Sequence, residues 1–282
     1  MDRFNTTKEE LVKLGSEFYS EALPLLEKLY KTTYWIFLER KATKKIIKQT
    51  YFEAIEYCDK TKAYADWQSW IYRIWMREIF DYYAPKENNT QTIFDFIDFV
   101  EVNPNDVKTL FNNESLKLSL REAELIKSLN KIPAVLRIPL IMKEINSFNY
   151  EKIAELIDVP DGVIATRIYR ARKLLFLFIK GNFNYEKEKQ KGLPDNFRPI
   201  IFEKRRSTLF VDDELNEEQK DNFIKTINEE NEYKAEVLIQ ENIKKLFGVL
   251  TFDESKLRRV KAKIERKAKK RFGNNQKGYL IP

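Results

Sequence analysis

The chain has 282 residues and a formal net charge of +7, long enough for two modest domains or three and basic enough to favour a polyanionic partner. It contains no histidine and one cysteine, Cys58, which removes the commonest general base, the commonest metal ligand and any internal disulfide. With no glycine-rich phosphate loop and no CxxC pair either, the sequence reads as a protein without catalytic residues, metal or other cofactor.

Glycine is scarce and apolar spacing is helical nearly throughout, so the expected fold is all-α. Residues 11–83 form a first helical block. Phe18, Ala22, Leu25, Leu26 and Leu29 make one stripe, Ile46, Ile47, Phe52 and Ile55 a second, and Trp67, Trp70, Ile71, Ile74 and Trp75 a third. Tryptophan at that density predicts a core of large aromatics. Cys58, amid Ile55, Tyr57 and Tyr64, reads as a buried apolar thiol. Residues 84–118 then shift to PKENNT and the acidic, aromatic run IFDFIDFVEV at 93–102, a linker carrying at most a short amphipathic turn.

Residues 148–173, FNYEKIAELIDVPDGVIATRIYRARK, are the most informative stretch. Tyr150, Ile153, Ala154 and Ile157 recur at i, i+3, i+4, i+7, the stripe of a short helix. Asp158 follows where the chain must turn, and aspartate tolerates a left-handed conformation. Pro160-Asp161-Gly162 opens a second helix with Asp161 as the expected N-cap. Ile164, Ile168, Ala171 and Leu175 share one face of it, Thr166, Arg170 and Lys173 the opposite face, and Arg167 its flank. Threonine and arginine on a docked helix suit major-groove reading, arginine for guanine edges and lysine or threonine for phosphates. An ordinary helical hairpin with a solvated basic face has the same spacing.

The longest purely apolar run, 174–179, is far too short to span a bilayer, and the polar start MDRFNTTKEE is no signal peptide, so a soluble cytoplasmic protein without a membrane partner is expected. Residues 181–207, interrupted by Gly192, Pro194 and Pro199, read as a linker. Residues 208–250 start acidic (Asp212, Asp213, Glu214, Glu217, Glu218, Asp221), with Phe223, Ile227, Tyr233, Val237 and Ile243 as inward positions. Residues 256–271 hold ten Lys or Arg in sixteen and predict a solvated basic helix. Such a helix could neutralise nucleic-acid phosphates, dock on the acidic segment or bind an acidic partner.

FNYEKIAELIDVPDGVIATRIYRARKLL resembles the C-terminal DNA-binding domain of extracytoplasmic-function sigma factors, where a YEEIAE helix precedes a G-x-V-x-x-R-x-x-R-A-R recognition helix. Residues 129–133 and 137–142 are similar to that domain's lead-in helix. WQSWIYRIWMREIFDYY, 67–83, resembles the FRAWLYRIARNLALDYLR stretch of the family, with Trp70, Tyr72, Arg73, Ile74, Asp81 and Tyr82 matching in place. The resemblance implies upstream-element contacts from Ala165, Thr166, Arg167, Tyr169, Arg170 and Lys173, and downstream-element contacts from Arg73 and Arg77, the latter replacing a typical asparagine. Trp70 and Ile74 would be structural. It also implies that Lys45, Lys48, Gln49 and Tyr51 face the clamp of the largest subunit of RNA polymerase core. Lysine there stands where the family's D-x-V-Q-E-x-F helix has acid or glutamine, which reverses charge pairing. The connector is expected to be acidic in this family.

DDELNEEQKDNF is similar to the first helix of anti-sigma domains, D-G-E-L-x-x-E-E. The zinc ligands of that domain would fall near Thr226, Glu230 and Tyr233, so any such domain here must be zinc-free; the resemblance is short, and a plain acidic helical hairpin is the favoured reading. The expected organisation is a sigma region 2-like domain (1–83), linker (84–118), sigma region 4-like helix-turn-helix (119–180), linker (181–207), acidic helical segment (208–250) and basic tail (251–282). The leading reading is a sigma factor that brings RNA polymerase core to promoter DNA. Modulation by an anti-sigma protein or by its own C-terminal segment stays open. So do a DNA-binding regulator that has abandoned polymerase and a helical adaptor with no DNA role.

Overall fold

The structure, a computed structural model, describes residues 7–60, 66–83, 97, 100, 102–111, 118–181 and 204–273. Tyr64, most of the 93–102 run and residues 182–203 lie outside the described residues. Every regular element among the described residues is helical. The chain divides into two compact units, residues 1–86 with 252–282, and residues 87–251.

The first unit begins with α1 (Lys8–Glu17), started by a capping box in which Thr7 accepts from the Glu10 backbone and Glu10 accepts from the Thr7 backbone. A single π turn, Phe18–Ala22, and Pro24 lead into α2 (Leu25–Phe37), then α3 (Arg40–Tyr57) and α4 (Trp67–Tyr83). Phe18, Trp35, Ile47, Tyr51 and Trp75 are fully buried among them. The polar ends of two of these aromatics are satisfied: Trp75 Nε1 donates to Thr33 Oγ1 at 2.8 Å and Tyr51 OH donates to the Ala22 carbonyl at 2.9 Å. Cys58 is buried as expected, and burial followed by the charge of Asp59 pushes its thiol up to about 11.

The second unit runs α5 (Pro104–Phe111), α6 (Leu118–Leu129), α7 (Ala134–Asn146), α8 (Tyr150–Ile157), α9 (Asp161–Lys180), α10 (Arg206–Val211), α11 (Glu217–Glu229) and α12 (Asn231–Leu246). α5 lies in the stretch read as linker, yet it packs on α12 with Val107 fully buried. Lys180 pairs with Asp106 at 2.8 Å. Beyond α9, Leu215, Phe223, Tyr233 and Val237 make a small core, with Ile227 packed against it. Phe223 meets Tyr233 edge-on at 5.9 Å. α12 packs in turn on α9 and α10.

The basic segment at the end of the chain is no solvated tail. It forms α13 (Arg258–Phe272), which belongs to the first unit and packs on α1 and α3. Val260, Ile264, Ala268 and Phe272, spaced four apart, form its buried stripe. Burial of its Val, Ile and Phe contributes roughly 1.5–3 kcal/mol each. The approach is close: a Cβ on Gly15 would sit 2.8 Å from Phe272 Cβ, so a side chain there has no room.

Candidate nucleic-acid interface

α8 and α9 form the hairpin that the spacing implied. Asn149 caps α8 by accepting from the Lys152 backbone at 2.9 Å, and Tyr150, Ile153, Ala154 and Ile157 are buried. Asp158 ends the helix in the left-handed region, at φ 59°. One local expectation differs: Pro160, not Asp161, is the N-cap of α9. The proline ring already supplies the extended N-cap backbone, which leaves Asp161 in the first turn, where its charge suits the helix dipole. Ile164, Ile168, Ala171 and Leu175 are fully buried as expected.

The outer side of α9 is only partly open. Thr166, Arg167 and Arg170 are half-buried, and the Thr166 hydroxyl donates to the Gly162 carbonyl at 2.9 Å. Ala165, Tyr169 and Lys173, expected to reach DNA, are instead at most 2% exposed. At about 100° per residue, Ala165, Tyr169 and Arg172 share a flank that adjoins Thr166 and Lys173. α12 covers that flank. Lys173 Nζ pairs with Glu236 at 2.6 Å and lies 3.3 Å from the Tyr169 hydroxyl. Gln240 accepts from the Thr208 hydroxyl at 2.7 Å and donates to the Tyr169 carbonyl at 3.4 Å, tying α10, α12 and α9 together. At the start of α9, Arg205 Nη1 donates to the Gly162 carbonyl at 3.3 Å.

Beneath lies a second charged knot. Arg172 is fully buried and donates to Glu144 Oε1 from Nε at 2.8 Å and to Asp212 Oδ1 from Nη2 at 2.9 Å. Asp212 also accepts from the Tyr150 hydroxyl at 2.7 Å and from Lys244 Nζ at 2.9 Å. Burial alone would raise the Asp212 carboxyl, but Arg172, Lys244 and Tyr150 outweigh it and hold it below the usual range. Burial raises Glu144, with Arg172 offsetting only part. Burial and the Asp212 charge push the Tyr150 hydroxyl well up. Asp212 thus closes a pairing that reaches α7, α8, α9 and α12 at once.

In the first unit, Arg73 and Arg77 sit one turn apart on the exposed side of α4, Arg77 paired with Glu53. Ile74 is buried and Trp70 half-buried. On α3, Lys45 and Gln49 are exposed, and Lys48 is half-buried with its ammonium 5.7 Å from the Phe52 ring centre. Tyr51 differs from its expected outward place. It continues the Ile46–Ile47 stripe one turn on and is locked in the core by its bond to Ala22.

Residues 122–175 match the family model described as sigma-70, region 4, a span that contains α8, the turn and most of α9. The chain is also similar to the ECF RNA polymerase sigma-E factor of Escherichia coli (strain K12), at 23% identity over 135 residues, 46% of this chain and 70% of the relative. The corresponding protein of Haemophilus influenzae is 23% identical over 178 residues, 60% of this chain and 93% of the relative. The chain is thus similar to sigma factors of the extracytoplasmic-function type, and the sigma-70 region 4 match falls on its helix-turn-helix.

What the sequence concealed is the group packed on and beneath the outer flank of α9: Glu236 and Gln240 on it, Asp212 below. Asp212 looked like one more member of a solvated acidic run, yet it is 7% exposed whereas Asp213 beside it is open. One signal was available. Arg172 falls between the apolar arc of α9 and its outer face, and an arginine there demands a buried acid. Among the described residues, no helix is long and apolar enough to cross a membrane.

Proposed function

We propose that the chain is a sigma factor of the extracytoplasmic-function type, that it carries RNA polymerase core to promoter DNA in the cytoplasm, and that residues 206–250 hold its upstream reader masked. α9 reads the upstream element through Thr166, Arg167 and Arg170, joined by Ala165, Tyr169 and Lys173 once α12 withdraws. Arg73 and Arg77 engage the downstream element, where melted bases need basic contacts and stacking surfaces. The exposed side of α3, with Lys45, Lys48 and Gln49, faces the polymerase clamp. The observation that carries the promoter reading is the sigma-70 region 4 match falling on a helix-turn-helix with half-open Thr166, Arg167 and Arg170. What supports the mask is the sealing of Tyr169 and Lys173 by α12. The chain's own segment then takes the part that a separate anti-sigma protein would play.

In vitro transcription with core polymerase tests both halves, comparing the full chain with Thr166→Ala/Arg170→Ala and with Glu236→Gln. The first variant is expected to lose promoter-dependent transcripts and the second to gain them. A second reading, a DNA-binding regulator that has left polymerase, is favoured by Lys45 and Lys48, since like charges across an interface cost several kcal/mol or so. Co-elution with core polymerase excludes it; promoter binding without co-elution establishes it.

A further inference from the structure

We propose that α13 presents a second, sequence-independent binding face for double-stranded DNA, made by Arg259, Lys263, Arg266 and Lys270. Seven of the ten cations in the basic segment fall into two sets, and Arg258, Lys261 and Lys269 lie outside both. Lys267 pairs with Glu56 at 2.6 Å, Arg271 with Asp59 at 2.7 Å, and Lys256 lies 5.6 Å from the Tyr34 ring centre; these dock the helix. The one acid of α13, Glu265, acts on the Tyr19 hydroxyl, away from the row. Arg259, Lys263, Arg266 and Lys270 are all exposed, and none has a hydrogen bond, ion pair or ring contact among the described residues.

Their spacing, i, i+4, i+7, i+11, lays them in one row about 16 Å long opposite the buried stripe. Within the row, Arg259 with Lys263 and Arg266 with Lys270 are like-charge pairs one turn apart, an arrangement that weakens a helix unless an anion lies across it. The docking set brings α13 beside the basic side of α3, since Lys48 and Lys267 both lie within 6 Å of the same Phe52 ring centre. A regular line of cations matches a row of phosphates, which binds by releasing counterions and needs no sequence.

An acidic protein fits less well. Protein interfaces need a desolvated centre of aromatic or large apolar side chains. Among the described residues the exposed large hydrophobics are Val12, Tyr57, Phe80 and Ile224, and none is on α13. The anchoring lies in the first unit, so the face works independently of the region 4 reader.

The test uses the full chain and a fluorescent 24-base-pair duplex of arbitrary sequence. Anisotropy titrations across a potassium chloride series give the slope of log affinity against log salt. Replacing all four residues by glutamine should reduce that slope by about 3–4 units, near 0.9 for each phosphate no longer neutralised. The melting temperature should hold or rise, because internal repulsion is relieved. Exchanging arginine for lysine and lysine for arginine at the four positions should keep the slope. An unchanged slope in the folded glutamine variant overturns the proposal, as does a loss of binding seen only with poly-glutamate. Thr166→Ala/Arg170→Ala should alter promoter selectivity and leave this slope difference intact, so the two readings fail separately.

Discussion

Replacing Glu236 by glutamine removes one charge from the seal between α12 and α9. Lys173 and Glu236 side chains are 0% and 2% exposed and meet at 2.6 Å. Glutamine preserves the shape but leaves the ammonium unbalanced in a dry interior. Breaking one half of a buried pair costs about 3–5 kcal/mol. The Tyr169 hydroxyl at 3.3 Å and its ring at 5.7 Å retain part of the stabilisation, so the low end, about 3 kcal/mol, is the expected value. At about 1.4 kcal/mol per decade, this shifts the masked-to-open ratio roughly a hundredfold. Apparent affinity scales with the open fraction, so promoter-duplex binding should tighten by up to that factor. Anisotropy measures the affinity, and hydrogen exchange of the α12 amides reports release. Lys173→Met with Glu236→Leu, which fills the space without charge, should keep the mask shut or tighten it. Fast exchange in α12 with unchanged promoter affinity in the glutamine variant would refute the reasoning.

Other perturbations probe other links. Phe272→Ala should destabilise the first unit by about 3–5 kcal/mol, read as a lower melting temperature in tryptophan fluorescence; a change under about 0.5 kcal/mol would mean that α13 docks only loosely. Because Asp212 is held below its ordinary range, its contribution is present above about pH 3.9 and lost as pH falls through the lower folded-state value. Glu144 runs the other way, its raised carboxyl favouring the fold most below about pH 4.3 and losing that as pH rises. Asp212→Asn should therefore lose about 3–5 kcal/mol at pH 7 and flatten the acid limb of a stability-versus-pH curve; an unchanged limb counts against the pairing. Arg73→Ala with Arg77→Ala should change stability by less than about 1 kcal/mol, since the Arg77–Glu53 pair is exposed. The same variant should reduce permanganate reactivity of promoter thymines, and full reactivity would remove these arginines from the downstream contact.

Local features were legible wherever a short-range rule acts alone. The Tyr150–Ile157 and Ile164–Leu175 stripes follow from helical period, and Asp158 takes the left-handed turn that aspartate tolerates. The aromatic core of α2–α4 was visible in Trp67, Ile71 and Trp75. Charge misled where burial was paired. Lys173 was placed outward because a single helix offers no sign of its partner, and Glu236 is 63 residues away. Val260, Ile264, Ala268 and Phe272 were overlooked because the lysines and arginines around them dominate composition. Tyr51 was assigned by family register, whereas its own stripe with Ile47 placed it inside. Long-range pairing, which no periodicity encodes, accounts for Lys173, whereas the other two carried a readable stripe that composition or family register overrode.

A helix made only after the whole second unit completes the first one. As the polypeptide leaves the ribosome, α1–α4 emerge early, yet the surface around Gly15 and Phe18 stays uncovered until Phe272 arrives. At about 5–20 residues per second, translation of the whole second unit intervenes, a delay on the order of ten seconds. Nascent chains stalled after residue 251 should accordingly be cut within α1–α4 by proteases that spare the released protein. Every molecule with a finished first unit therefore already contains residues 206–250, the stretch packed against α9, so a mask formed by them would be in place before the amino-terminal module matures.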